Sequence, residues 1–190
     1  MGCIVLVLVA ILTVTLINDS NACYVVSRSS WRAQNPKSTT SLSTPVNMVV
    51  IHHTDTPSCS SQSACKARVR SIQNDHMYGR ARRGLDNFDD IGYNFLVGGD
   101  GTIYEGRGWQ RIGAHARGYN SRSIGIAFIG TFSGSSPTVS AQNAAKALIS
   151  CGVSGGYVSS RYTLRGHKDV GSTQCPGSRL YNIIRRWDRY

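Results

Sequence analysis

A chain of 190 residues carrying 21 Lys and Arg against 10 Asp and Glu, a formal net charge of +11, has room for one compact domain and little more. So basic a balance points to an acidic partner, whether nucleic acid, an anionic membrane or an anionic polymer such as bacterial cell wall. No internal repeat, coiled-coil heptad or low-complexity tract interrupts the expectation of a single globular domain.

Cys3 to Ile17 is almost free of polar residues, yet shorter than the roughly 20 apolar residues a membrane span needs. Ser20 and Ala22 then offer the small side chains a signal peptidase requires. Residues 1–22 are therefore expected to be a signal peptide and 23–190 the mature domain, secreted and extracellular, with no stable membrane insertion after cleavage. The absence of Lys or Arg before Arg28 departs from the usual leader and leaves a short anchor as the alternative. A secreted chain rarely meets DNA, so no nucleic-acid partner is expected. Cleavage removes Asp19 and no cation, leaving 21 cationic against 9 acidic side chains, or +12. It also leaves five cysteines, Cys23, Cys59, Cys65, Cys151 and Cys175. In an oxidising compartment an odd count leaves one thiol free, intermolecular or bound to metal.

Along the mature chain, Met48-Val49-Val50-Ile51 is an apolar run entered through Pro45 and ending on His52-His53-Thr54, a buried strand with polar residues at its tip. Ser61 to Tyr78, with Ala64, Val69, Ile72 and Met77 near helical spacing, predicts an amphipathic helix. Gly79 to Gly84 has no apolar period and predicts a basic surface loop. Tyr93 to Val97 and Thr102 to Glu105, joined through Gly98-Gly99-Asp100-Gly101, predict a hairpin. Ile124 to Ile129 predicts another buried strand, and Ser140 a cap for a helix running to Cys151 with Gly152 as its stop. Leu180, Ile183, Ile184 and Trp187 mark the apolar stripe of a last helix. Strands interleaved with helices predict a single α/β domain with a central mixed β-sheet flanked by helices.

His52 ends a strand, while His167 and Cys175 lie in the irregular run Gly166 to Gly177. Two imidazoles and a thiolate suit zinc, and three protein ligands leave a fourth tetrahedral position open, as catalytic sites do. Spacing alone does not separate such a site from packed or surface histidines. For the remaining histidines, strand alternation turns His53 to the opposite face, where a scaffold hydrogen bond is expected. His76 follows the helix period as a surface or packing residue.

Six motifs in order carry a resemblance. They are Val49-Val50-Ile51-His52-His53-Thr54, Asp90-Ile91-Gly92-Tyr93-Asn94-Phe95, Tyr104-Glu105-Gly106-Arg107-Gly108-Trp109, Gly113-Ala114-His115-Ala116, Ser123 to Gly130, and Gly166 to Gly177. Together they span nearly all of the mature chain and resemble the peptidoglycan recognition proteins, a family related to zinc amidases of some bacteriophages. The resemblance implies a groove for glycopeptide along the sheet, with bacterial peptidoglycan as partner in innate immunity. It implies Zn2+ as cofactor on His52, His167 and Cys175, with Tyr93 and Thr173 as catalytic helpers. The activity implied is that of an N-acetylmuramoyl-L-alanine amidase, hydrolysing the lactyl amide between muramic acid and L-Ala. The family pattern also implies the disulfides Cys23–Cys151 and Cys59–Cys65, which would leave Cys175 for metal.

The resemblance makes His115 a substrate contact in the groove. Trp109 is a further candidate, open between stacking on a sugar and packing in the core. The pair Asn87-Phe88 resembles one associated with lysine-type stem peptides. The arginine-rich stretch between Met77 and Asn87 is longer than the family pattern, and with the overall charge it suggests anionic wall polymers as additional partners. Two other classes stay in view: a receptor or scavenger that binds wall fragments without cutting, and a cysteine hydrolase pairing Cys175 with His167.

Overall fold

Central to the molecule is a strand, β2, buried on both faces, as a parallel strand covered by helices on either side must be. The computed structural model describes residues 23–190, so the expected signal segment lies outside the described residues. The element order is β1 (Val25–Val26), β2 (Val46–His53), α1 (Gln62–Asn74), β3 (Phe95–Val97), β4 (Ile103–Glu105), β5 (Ser123–Phe128), α2 (Val139–Ser154), β6 (Val158–Gly166), α3 (His167–Val170) and α4 (Ser178–Ile184). The strands form one mixed sheet in the order β1-β4-β3-β5-β2-β6. Of these strands only β3 and β4 pair antiparallel, as the expected hairpin, and the other strand pairings are parallel; an isolated antiparallel bridge joins Ser41 to Arg111.

Two cores follow from the alternation of side chains. On one face Val49, Ile51, Ile124, Ile126 and Phe128 meet Ala141, Ala145 and Leu148 of α2 and Leu180 and Ile184 of α4. On the other, Leu96, Tyr104, Ala127 and Ile129 meet Val69 and Ile72 of α1, together with Trp31. On this second face β5 presents Gly125 and Ala127, and the small side chains leave room above the sheet. The buried ion pair Arg28–Asp90, 2.9 Å, anchors the N-terminal segment to the chain just before Tyr93. Asp90 Oδ1 also accepts from Gln73 Nε2 and the Ile91 N–H. Cys23–Cys151 ties the N-terminus to α2, and Cys59–Cys65 closes the approach to α1.

Four expectations need correction. α1 is capped by Ser61 and ends at Asn74, after which the chain winds through a π turn, Asp75–Gly79, and a 3-10 turn, Arg80–Arg83. The basic stretch is thus helical, because Asp75 receives both terminal nitrogens of Arg83 at 2.7 Å and Gly84 closes the turn at φ 71°. The cap of α2 is Thr138, whose Oγ1 accepts from Ala141 N at 3.1 Å, and Gly152 lies inside the helix. A Cβ on Gly152 would meet the Trp109 ring at 2.7 Å, so this glycine permits close packing and stops nothing. α4 ends at Ile184, and Trp187 packs against the core from beyond it. Strand β6 is absent from the sequence expectations altogether. It is an edge strand, and of its nine residues only Val158, Leu164 and Gly166 are buried.

Candidate metal centre and groove

Register brings the first two donors together. β2 and β6 run parallel with Ile51 opposite Gly166, so the side chains of the next residues, His52 and His167, lie side by side with ring centroids 4.5 Å apart. Asp169 stabilises the turn bearing His167 by accepting from the Gly166 N–H and from the hydroxyls of Tyr181 and Tyr190, each at 2.7 Å. Cys175 arrives on the loop before α4, where Lys168 N donates to its carbonyl at 2.9 Å. Its Sγ accepts the His53 N–H at 3.3 Å and lies 3.7 Å from His52 Nδ1.

The donor atoms of His52, His167 and Cys175 all lie within 4.8 Å of one another. Bonds of about 2.0–2.1 Å to nitrogen and 2.3 Å to sulfur in a tetrahedron require donors about 3.3–3.8 Å apart, so this set fits zinc with small adjustments. Burial lowers the pKa of His52 and of His167, aided by the neighbouring histidines, which favours the neutral rings a metal needs. Burial also pushes the Cys175 thiol up to about 12. A thiol this reluctant to ionise is a poor free nucleophile, and no helix begins at it, which argues against the cysteine-hydrolase reading.

Around the three donors opens a groove of about 800 Å³. Tyr93, immediately before β3, places its ring 5.4 Å from His52, and burial raises its phenol pKa, so the hydroxyl stays protonated. Thr173 also lines the groove, and its Oγ1 accepts from Cys175 N at 3.1 Å. The wall continues from Tyr93 to His76, 5.6 Å between rings, then to Phe88, 5.5 Å further, and ends with the Arg80 guanidinium 3.8 Å over the Phe88 ring.

The structure places the remaining candidates as follows. Trp109 is half-buried and packs against the core, stacked on Tyr157 at 5.3 Å and 4.4 Å from Phe95, away from the groove lining. Asn87 turns back into the inserted segment, accepting from Ala81 N at 3.0 Å, so of its pair only Phe88 lines the groove. His115 lines the groove but is only 7% exposed, and its Nδ1 meets His52 Nε2 at 3.0 Å. His53 sits as alternation requires, accepting the Phe132 N–H at Nδ1.

Among the groove residues that sequence reasoning missed are His76, Arg80, Leu85, Asp86, Arg117 and Asn120. For His76 a signal existed, since it continues the Val69–Ile72 stripe at i+7 and i+4; in place it accepts the Gly92 N–H at 2.9 Å. For Arg80, Leu85 and Asp86 none existed, because their place depends on how the inserted segment folds back.

Comparison with known proteins identifies the family and the fold. The family model described as N-acetylmuramoyl-L-alanine amidase matches residues 42–178. A peptidoglycan recognition protein of Trichoplusia ni is 41% identical over 180 residues, covering 95% of this chain and 96% of the relative. Peptidoglycan-recognition protein SC2 of Drosophila melanogaster is 45% identical over 166 residues, 87% of each chain. Among solved structures, peptidoglycan recognition protein-LE in complex with tracheal cytotoxin, a monomeric diaminopimelic acid-type peptidoglycan, is similar at a TM-score of 0.82 and 44% identity, covering 87% of this chain and 95% of that one. On the sheet order, the matched span and the identity over most of its length, this chain belongs to the peptidoglycan recognition protein family.

Proposed function

We propose that the protein is a secreted zinc-dependent N-acetylmuramoyl-L-alanine amidase of innate immunity, released by removal of residues 1–22. It binds bacterial peptidoglycan and hydrolyses the lactyl amide between muramic acid and L-Ala. The observation that carries this reading is the set His52, His167 and Cys175, with donor atoms within 4.8 Å of one another, lining a groove of about 800 Å³. Among the described residues no helix is long and apolar enough to cross a membrane.

Zinc bound to these donors would polarise the scissile carbonyl and lower the pKa of a water toward about 7. The chain's own residues supply the rest. His52 and His167 offer neutral nitrogens, and Cys175 releases its proton on binding the metal. Tyr93 keeps its phenolic proton and donates toward the oxyanion that forms on the carbonyl. Thr173 holds the Cys175 backbone, and with it the angle of the thiolate. In the overall step water adds its oxygen to the carbonyl carbon, the C–N bond breaks, and L-Ala leaves as an amine carrying a proton from that water.

Phe88 and the Arg80 guanidinium above it would meet the stem peptide at the far end of the groove. With Asn87 turned away, the lysine-type preference implied by the pair rests on Phe88 alone. The relative bound to a diaminopimelic acid-type ligand makes both wall types necessary substrates in any assay. Anionic wall polymers are the second proposed partner, drawn by the basic surface.

A non-catalytic receptor is the competing reading, since a long groove lined with aromatic and guanidinium groups would serve binding alone. The test is release of stem peptides from purified lysine-type and diaminopimelic acid-type peptidoglycan, with and without a zinc chelator, the cut located by mass spectrometry. Chelator-sensitive release at the lactyl amide is expected. Zinc-loaded protein that binds both walls and cuts neither would install the receptor reading instead.

A further inference from the structure

A third imidazole stands against the two imidazoles and the thiol of the donor set. His52 Nε2 lies 3.0 Å from His115 Nδ1, the rings edge to face. The other nitrogen of His115, Nε2, lies 3.4 Å from Ser123 Oγ, and that hydroxyl donates to the Tyr119 carbonyl at 2.7 Å. A carbonyl only accepts, so the direction of this chain is set from its far end. With its one proton directed to Tyr119, Ser123 Oγ accepts from His115 Nε2–H.

His52 and His115 are 1% and 7% exposed, and among the described residues no carboxylate bonds to either ring. Burial without a counter-charge keeps each neutral, with one proton apiece. His115 Nδ1 is then a lone pair, and His52 Nε2 is the donor that faces it. The His52 lone pair is left on Nδ1, the atom that faces Cys175 Sγ at 3.7 Å.

The place of His115 is built into two chain segments. A Cβ on Gly125 of β5 would fall on the His115 ring, and so would one on Gly113. Asn120 Oδ1 fastens the backbone by accepting from His115 N at 2.9 Å and Ala116 N at 2.8 Å. The imidazole is thus threaded between two glycines with its backbone anchored, an arrangement that fixes ring orientation.

We infer that His115 is a positioning residue: through Ser123 and the Tyr119 carbonyl it holds His52 in the Nε2–H tautomer and turns Nδ1 toward the metal position. The sequence motif made it a substrate contact, whereas its hydrogen bonds run to a zinc-ligand candidate. The consequence rests on the zinc reading above, but the tautomer is a property of the metal-free protein and is measurable without it. Partners that orient a metal-bound histidine in this way typically contribute about 10–100-fold in metal affinity.

Two measurements on the mature secreted protein test the inference. Long-range proton–nitrogen NMR correlations of the histidine rings in metal-free protein should show His52 protonated at Nε2 and bare at Nδ1; the opposite tautomer overturns the inference. Zinc affinity by chelator competition should fall about 10–100-fold in His115→Leu, which removes the acceptor, and recover in His115→Asn, which returns an oxygen near the place of Nδ1. Folded His115→Leu that holds zinc as tightly as wild type also overturns it. Should His115→Leu fail to fold, the NMR measurement on wild type decides alone. Wild type that takes up zinc but releases no peptide would defeat the amidase reading and leave this inference supported by its own two measurements.

Discussion

Cys175 and Tyr93 face the same groove and fail differently when changed. Cys175→Ser exchanges a soft thiolate for a poor neutral ligand, so zinc affinity should fall sharply, while glycopeptide, held along the rest of the groove, should still bind. Release of peptide by Cys175→Ser at the wild-type rate would sink the amidase proposal. Tyr93→Phe keeps the ring and removes one O–H donor, and should lower kcat by about 10²–10³ with KM little changed. A change confined to KM would make Tyr93 a binding residue instead. That His52, His167, Cys175 and Tyr93 converge was legible because each lies in a motif tied to a strand end or loop that the register brings together. Trp109 and Asn87 were not, since motif membership says nothing of whether a side chain faces the groove, the core or its own turn. His115 was legible as a site residue, but its bonding partner was set by Gly113 and Gly125, whose role appears only when the segments pack.

Between residue and fold stand the elements, and here legibility follows burial. β2, the hairpin and β5 have apolar runs because both faces are covered, and the sequence shows them directly. β6 does not, because an edge strand needs few apolar side chains. Downstream of α1 the same limit applies: Asp75 and Arg83 are eight residues apart, and nothing local predicts that they clamp two successive turns. His76 at the α1 extension supplies a measurable consequence. Burial and the neighbouring Arg80 lower its pKa to about 4 from the ordinary 6.5. Its neutral form accepts the Gly92 N–H, so its contribution to stability is complete above pH 6.5 and is lost as pH falls toward 4, where the unfolded chain takes the proton first. Between pH 7 and 4.5 the wild type should lose on the order of 2–3 kcal/mol more than His76→Asn, read by urea unfolding of both at each pH. Equal losses would show that His76 is not held neutral.

At the scale of the molecule the excess of cations is left largely uncompensated, since among the described residues only Arg28–Asp90 and Arg83–Asp75 form ion pairs. The rest act as a field, which the sequence showed in sign but not in arrangement. The structure divides the three arginines of the inserted segment into different roles: Arg83 is paired, Arg80 lies over Phe88 in the groove wall, and Arg82 is exposed. A charge acting through the field is screened over about 8 Å at physiological salt and about 30 Å at 0.01 M, whereas a stacking contact does not depend on that length. Arg82→Ser should therefore weaken binding to intact, polymer-bearing walls at low salt and have little effect at physiological salt. Arg80→Ser should weaken it at both, by the few-fold that a cation–π contact of about 0.5–1 kcal/mol supports. Sedimentation of labelled protein with walls at the two salt concentrations separates them. If Arg82→Ser were as costly at high salt as at low, the long-range attraction to anionic polymers would fail, and the inserted segment would instead be a contact surface for the glycopeptide itself.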